Sequence, residues 1–112
     1  MSIEISVSEM KRVSLMEVAG RVDSISADDL HQALAQAIDD GRTKLVVNLE
    51  QVEYMSSAGL RELVSALKQV NKMNGDLRLA APSQKVMEVL ELAGLDTIFK
   101  VYPSTVEAVG SF

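Results

Sequence analysis

The sequence predicts an α/β domain. We expect a mixed, mostly parallel sheet of four to five strands, opened by an N-terminal β-hairpin and carrying about four helices. Three observations lead there. Short β-branched runs recur along the chain; stretches of helical period lie between them; and Gly, Pro and Asn-Gly punctuate the joints. Helices that join successive apolar strands imply right-handed parallel crossovers. At 112 residues the chain has the size of one domain, so residues 1–112 are read as a single unit. Hydrophobic residues make up 47% and aromatics 4%, which predicts a continuous, aliphatic core.

Ile3, Ile5 and Val7 alternate with Ser2, Glu4 and Ser6, the pattern of a strand with one buried face. Lys11-Arg12 reads as a turn, Val13 to Ala19 as the second strand, and Gly20 as its end. Ser26 with Asp29 resembles a capping box, with Asp28 and Asp29 favoured in a first helical turn. Leu30, Ala33, Leu34, Ala37 and Ile38 then form one stripe of a helix of about four turns, stopped at Gly41. Leu45-Val46-Val47-Asn48-Leu49 is continuous and apolar, as expected of a strand covered on both faces, and it runs on through Met55. From Ala58 the period becomes helical: Leu60, Leu63, Val64, Leu67, Val70 and Asn71 share a face, and Asn74-Gly75-Asp76 ends it. Leu77 to Ala81 is the fourth strand, closed by Pro82. Ser83 then caps a helix with Val86, Val89, Leu90 and Ala93 on its stripe, and Gly94 ends it. Ile98 to Tyr102 predicts a short fifth strand, and Ser104-Thr105-Val106-Glu107 a capping box that opens a last helix.

Composition excludes several classes of function. A net charge of -5 with no basic run argues against nucleic acid and anionic lipid. The absence of cysteine removes disulfides, thiolate nucleophiles and Cys-ligated metals. Nothing approaches the ~18 apolar residues of a membrane span, and the N-terminus lacks the layout of a signal peptide, so a soluble cytoplasmic domain is expected. The single histidine, His31, reads as a solvated surface residue one turn after Asp28. Asp23, Asp28 and Asp29 are close in sequence, but helix capping accounts for the last two, so no metal and no cofactor is expected. Neither phosphate-loop pattern nor G-x-S-x-G occurs.

What remains is Ser56-Ser57-Ala58-Gly59 at a strand-to-helix turn. Two adjacent hydroxyls there can cap the helix, present a nucleophile or accept a phosphoryl group. A cap needs only one of them. A nucleophile needs a base, and His31 starts a different helix, so a small hydrolase using Ser57 is disfavoured. Gly59 in a first helical turn costs up to about 1 kcal/mol against alanine, and it permits close backbone approach by a partner or a neighbouring loop.

Asn48-Leu49, Val52 and Tyr54-Met55-Ser56-Ser57-Ala58-Gly59-Leu60 resemble the signature of STAS domains, the anti-sigma factor antagonist family. Gly20-Arg21-Val22-Asp23 resembles the family's Gly-x-x-Asp, and Leu92-Ala93-Gly94-Leu95 with Ile98-Phe99 its C-terminal segment. The resemblance runs in register over nearly the whole chain. It implies the STAS fold and an antagonist that is no enzyme. Such a protein binds an anti-sigma serine kinase of the GHKL type, is switched off by phosphorylation and is restored by a PP2C-type phosphatase, so that it regulates transcription indirectly. In the family's Asp-Ser-[Ser/Thr]-Gly-Leu motif, Ser56 takes the acid's place, Ser57 the acceptor's and Ala58 that of the second hydroxyl. Ser57 is thus the implied phosphosite. The implied partner surface comprises Asp23 and Ser24 of the loop after the second strand, Ser56 to Gly59, and Arg61, Glu62, Ser65 and Lys68 of the following helix. For Asp23, a self-contained Asx turn before Ser26 is an equal reading. The alternative is a STAS subunit of a transport or signalling complex whose turn is never phosphorylated, a reading that Ser56 in place of the acid favours slightly.

Overall fold

The structure is a computed structural model that describes residues 3–112; the alternation at Ser2 lies outside these residues. A hairpin of β1 (Ile3–Met10) and β2 (Val13–Val22) leads into α1 (Ala27–Asp39), β3 (Lys44–Met55) and α2 (Ser57–Lys72). Then come β4 (Asp76–Ala80), α3 (Gln84–Leu92), a 3-10 turn (Leu95–Thr97), β5 (Val101–Tyr102) and α4 (Thr105–Gly110). The strands lie side by side in chain order, antiparallel between β1 and β2 and parallel from β2 to β5. This is the α/β architecture the sequence predicts. Each parallel step moves one strand in the same direction, so right-handed crossovers place α1, α2 and α3 on one face. Their buried side chains, among them Leu30, Leu34, Leu63, Leu67, Val86 and Leu90, share a core with Met16, Val47 and Leu79 of the sheet. The opposite face is covered over Val13, Leu15, Val46 and Ala80 by Ala108 and Val109 of α4.

β3 is long because it is bulged twice. Its pairing with β2 slips between Glu17↔Asn48 and Ala19↔Gln51, and again between Gly20↔Val52 and Arg21↔Tyr54. Side chains three apart on a regular strand point to opposite faces. Each bulge adds a residue and restores the parity, so Leu49, Val52 and Met55 all enter the same core. Asn48, only 6% exposed, supports the first slip: its Oδ1 accepts the Glu50 N–H at 3.0 Å.

Several expectations need correction. Gly20 does not end β2: with φ at 105° it bends the strand, and Arg21 and Val22 continue pairing to Tyr54 and Met55. The inner face of β1 is only partly buried. Ile3 is covered, but Val7 is 44% exposed, because an open groove of about 510 Å³ separates β1 from α1. Ser26 makes no side-chain cap toward Asp29; the reciprocal box sits one turn earlier, between Asp23 and Ser26. Asn71 is exposed at the margin of the α2 stripe, as is Ala93 just beyond the end of α3. The fifth strand is reduced to Val101–Tyr102, because Leu95–Thr97 forms the 3-10 turn and Phe99 turns into the core. Ser104 caps α4 through the Glu107 N–H at 3.2 Å, but the Glu107 carboxylate meets the Ser104 hydroxyl rather than its N–H.

Candidate partner-binding site at the Ser56–Ser57 turn

β2 and β3 end together. Val22 pairs with Met55, and the Ser56 N–H donates to the Val22 carbonyl at 2.8 Å. The loop carrying Asp23 and the turn carrying Ser56 and Ser57 therefore emerge side by side at the carboxyl edge of the parallel sheet, where α/β folds place their sites.

The two serines are unequal. Ser56 is extended (φ -83°, ψ 168°) and its Oγ accepts the Gly59 N–H at 3.2 Å, so Ser56 is the cap of α2. Ser57 is the first residue of the helix. It is exposed, and among the described residues its hydroxyl has no hydrogen-bond partner. Gly59 is buried beneath the turn. A Cβ there would lie 2.5 Å from Met55 Sδ and 2.6 Å from Val22 Cγ1. The close approach it permits is to its own core, so Gly59 shapes the turn from below. Ala58 is half-buried and packs on the same core.

Asp23 closes its own loop. Its Oδ1 accepts the N–H groups of Ile25 and Ser26 at 3.0 and 2.8 Å, and the Asp23 N–H donates to Ser26 Oγ at 2.9 Å. The Ser26 hydroxyl in turn donates to the Arg21 carbonyl at 2.7 Å. The hydrogen bond from the Ser26 backbone, then that from its hydroxyl, hold the Asp23 carboxyl below its ordinary value of 3.8. Asp23 thus acts as an Asx-type cap; Ser24 beside it is exposed.

Ser57 opens onto a groove of about 710 Å³ between α2 and the end of α3. Leu60, Val64, Ala93 and Leu95 line it with apolar surface; Ser57, Arg61, Ser65 and Lys68 supply its polar lining. His31 and Glu62 also line it, joined at 2.7 Å. His31 is thus held by a contact rather than solvated alone, because α1 packs beside α2 and brings Glu62 within reach. No hydrogen bond joins His31 to Ser57 among the described residues, and those residues contain no cluster of three or more His, Asp or Glu able to hold a metal.

Sequence reasoning missed several exposed apolar side chains near this surface. Ile25, in the Asp23 loop, is 83% exposed. Leu92 is 89% exposed and Ile98 50%, on the segment that carries Ala93 and Leu95. Tyr54 is 41% exposed, with the Arg21 guanidinium 4.7 Å from its ring centre. Ile25 was detectable, because it lies off the α1 stripe; the others depend on where α3 and β3 stop.

The family model described as STAS domain matches residues 4–108. The chain belongs to the STAS domain family. BtrV of Bordetella bronchiseptica, which carries the name of an anti-sigma factor antagonist, is 37% identical over 93 residues, covering 83% of this chain and 80% of that protein. The anti-sigma-B factor antagonist of Staphylococcus aureus is 29% identical over 105 residues, covering 94% and 97%. The crystal structure of an anti-sigma factor antagonist from Mycobacterium paratuberculosis superposes with a TM-score of 0.91 at 30% identity, covering 98% of this chain and 93% of that one. In this STAS domain, the residues that carried the resemblance divide by role. Asn48 holds a bulge of β3, Met55 and Gly59 pack the base of the turn, and Ser57 is exposed on it. No helix among the described residues is long and apolar enough to cross a membrane.

Proposed function

We propose that this STAS protein is an anti-sigma factor antagonist that binds an anti-sigma serine kinase and is released from it by phosphorylation of Ser57. The observation that carries the reading is the division of labour in the turn. Ser56 satisfies the helix, which leaves at Ser57 an exposed hydroxyl with no hydrogen bond among the described residues. Ser and Asp cap helices about equally well, so Ser56 preserves the turn where the family's motif has an acid. Among the described residues none supplies a base to Ser57, since His31 is turned to Glu62; Ser57 is read as a substrate rather than a catalyst. In the reaction, Ser57 Oγ bonds to the γ-phosphorus of ATP, the bond to the bridging oxygen breaks, ADP leaves, and the kinase takes the hydroxyl proton. A GHKL-type kinase in the cytoplasm is the expected donor, and hydrolysis of the phosphoserine by a PP2C-type phosphatase would restore the antagonist.

The product carries about -1.5 to -2 added charge. The free N–H groups of the first turn of α2 tolerate it, so the fold persists. A partner docked over Asp23, Ser24, Ser57, Arg61, Glu62, Ser65 and Lys68 would meet that charge and bulk directly. The test is incubation with the cognate kinase and ATP, followed by mass-spectrometric mapping. Phosphate should appear on Ser57, and Ser57→Asp should lose kinase binding while its melting temperature stays that of the wild type. Phosphate on another residue, or an active kinase that leaves the chain unmodified, overturns the assignment.

A further inference from the structure

Resting on that reading of Ser57, we propose that Arg61 is the internal counter-ion of the Ser57 phosphate, so that phosphorylation also withdraws from the partner a cation set beside the acceptor. Ser57 and Arg61 are four residues apart on α2 and line the same groove. At that spacing the Cβ atoms lie about 5–6 Å apart, within reach of a guanidinium and a phosphate. Both side chains are exposed, and among the described residues neither makes a hydrogen bond, an ion pair or a stacking contact.

The other charged groups near the turn are committed or remote. His31 and Glu62 hold each other at 2.7 Å. Asp23 repels phosphate, and its Oδ1 is held by its own loop. Lys68 stands three helical turns further on, about 16 Å along the axis at 1.5 Å per residue. Arg21, at the end of β2, is stacked on the Tyr54 ring at 4.7 Å. Among the described residues that leaves Arg61 as the near cation with no contact of its own. Its planar fork suits two phosphate oxygens at once, where an ammonium would offer a point charge. With Ser57 unmodified, the same fork is open to a carboxylate on the partner. The switch therefore has two parts: phosphate adds negative charge to the surface and pairs with the cation the partner would use.

The full chain with phosphoserine installed at position 57 during translation tests this, read by phosphorus NMR over a pH titration. The phosphate's second ionisation should fall at lower pH than in a free phosphoserine peptide. Arg61→Ala should raise its proton affinity about two- to fivefold, and Arg61→Lys should recover only part of the difference. Lys72→Ala, at the far end of the helix, should leave the titration unchanged. Identical titrations for Arg61→Ala and the parent overturn the proposal, as does an equal shift from Lys72→Ala, which would mean a diffuse field rather than a contact. Because translation installs the phosphate, these outcomes do not depend on any kinase choosing Ser57, and the mapping experiment above judges that choice separately.

Discussion

The Asp23 carboxylate accepts hydrogen bonds from the N–H groups of Ile25 and Ser26 and from the Ser26 hydroxyl. These bonds favour its charged form and hold its ionisation below 3.8. The sign of the pH effect follows. An unfolded chain, without these bonds, binds the proton more readily than the folded one. The stabilisation is therefore fully present above the unfolded value and is lost as pH falls through the depressed folded value. Asp23→Asn keeps an acceptor oxygen but removes the titration. Melting temperatures followed across the acid range should fall less steeply below about pH 4 in the variant, with the two curves running parallel above about pH 5. An unchanged acid limb would show that Asp23 does not carry this dependence. At the same scale, the glycine in the signature has a plain physical reason. Val22 and Met55 occupy the space that a Cβ at Gly59 would need, and that reason requires no partner.

At the scale of elements, the start of α2 separates two neighbouring hydroxyls by conformation. Ser56 is extended and caps; Ser57 is helical and exposed. Ser56→Ala should cost about 1 kcal/mol in urea unfolding. Ser57→Ala should change stability by less than about 0.5 kcal/mol, because a surface position only exchanges one side chain for a slightly better helix former. The reverse order would assign the cap to Ser57 and remove the free hydroxyl. The sequence shows that a helix begins here and that a serine caps it. It does not show which one, because that depends on where β3 ends. Two bulges decide the matter, and the spacing of Leu49, Val52 and Met55 was their only trace in the chain. The capping box at the start of α1 was misplaced for a similar reason: Asp23-x-x-Ser26 and Ser26-x-x-Asp29 both carry plausible residues, and the continuation of β2 to Val22 selects the first.

Across the whole molecule, the site face and the α4 face are separate constructions on one sheet. Arg78 ties the second together. Its Nε meets Asp76 Oδ2 at 2.9 Å, its Nη1 donates to Ser111 Oγ at 2.7 Å, and its guanidinium lies 4.0 Å from the Phe112 ring centre. The side chain is 12% exposed, so Arg78→Ala removes packing as well as charge. We expect a loss of about 2–3 kcal/mol, with faster hydrogen exchange in α4. Binding to the kinase should persist, because α4 lies across the sheet from the helices that line the groove; loss of binding by the folded variant would place α4 in the interface.

The sequence by itself determined the β/α order, the hairpin, the apolar stripes of the helices and the two serines at the start of α2. Those features are local: periodicity, caps and breakers act within a few residues, and adjacent strands follow from short crossovers. Tertiary structure alone decided the bulged register of β3, the Asp23–Ser26 box, the pairing of His31 with Glu62 from another helix and the burial of Gly59. Each depends on how segments distant in the chain meet, which residue type and spacing do not encode one position at a time. The free hydroxyl of Ser57 belongs to both. Its chemistry is written in the chain, but its exposure, and its lack of a hydrogen bond among the described residues, follow from β3 ending at Met55 and leaving the cap to Ser56.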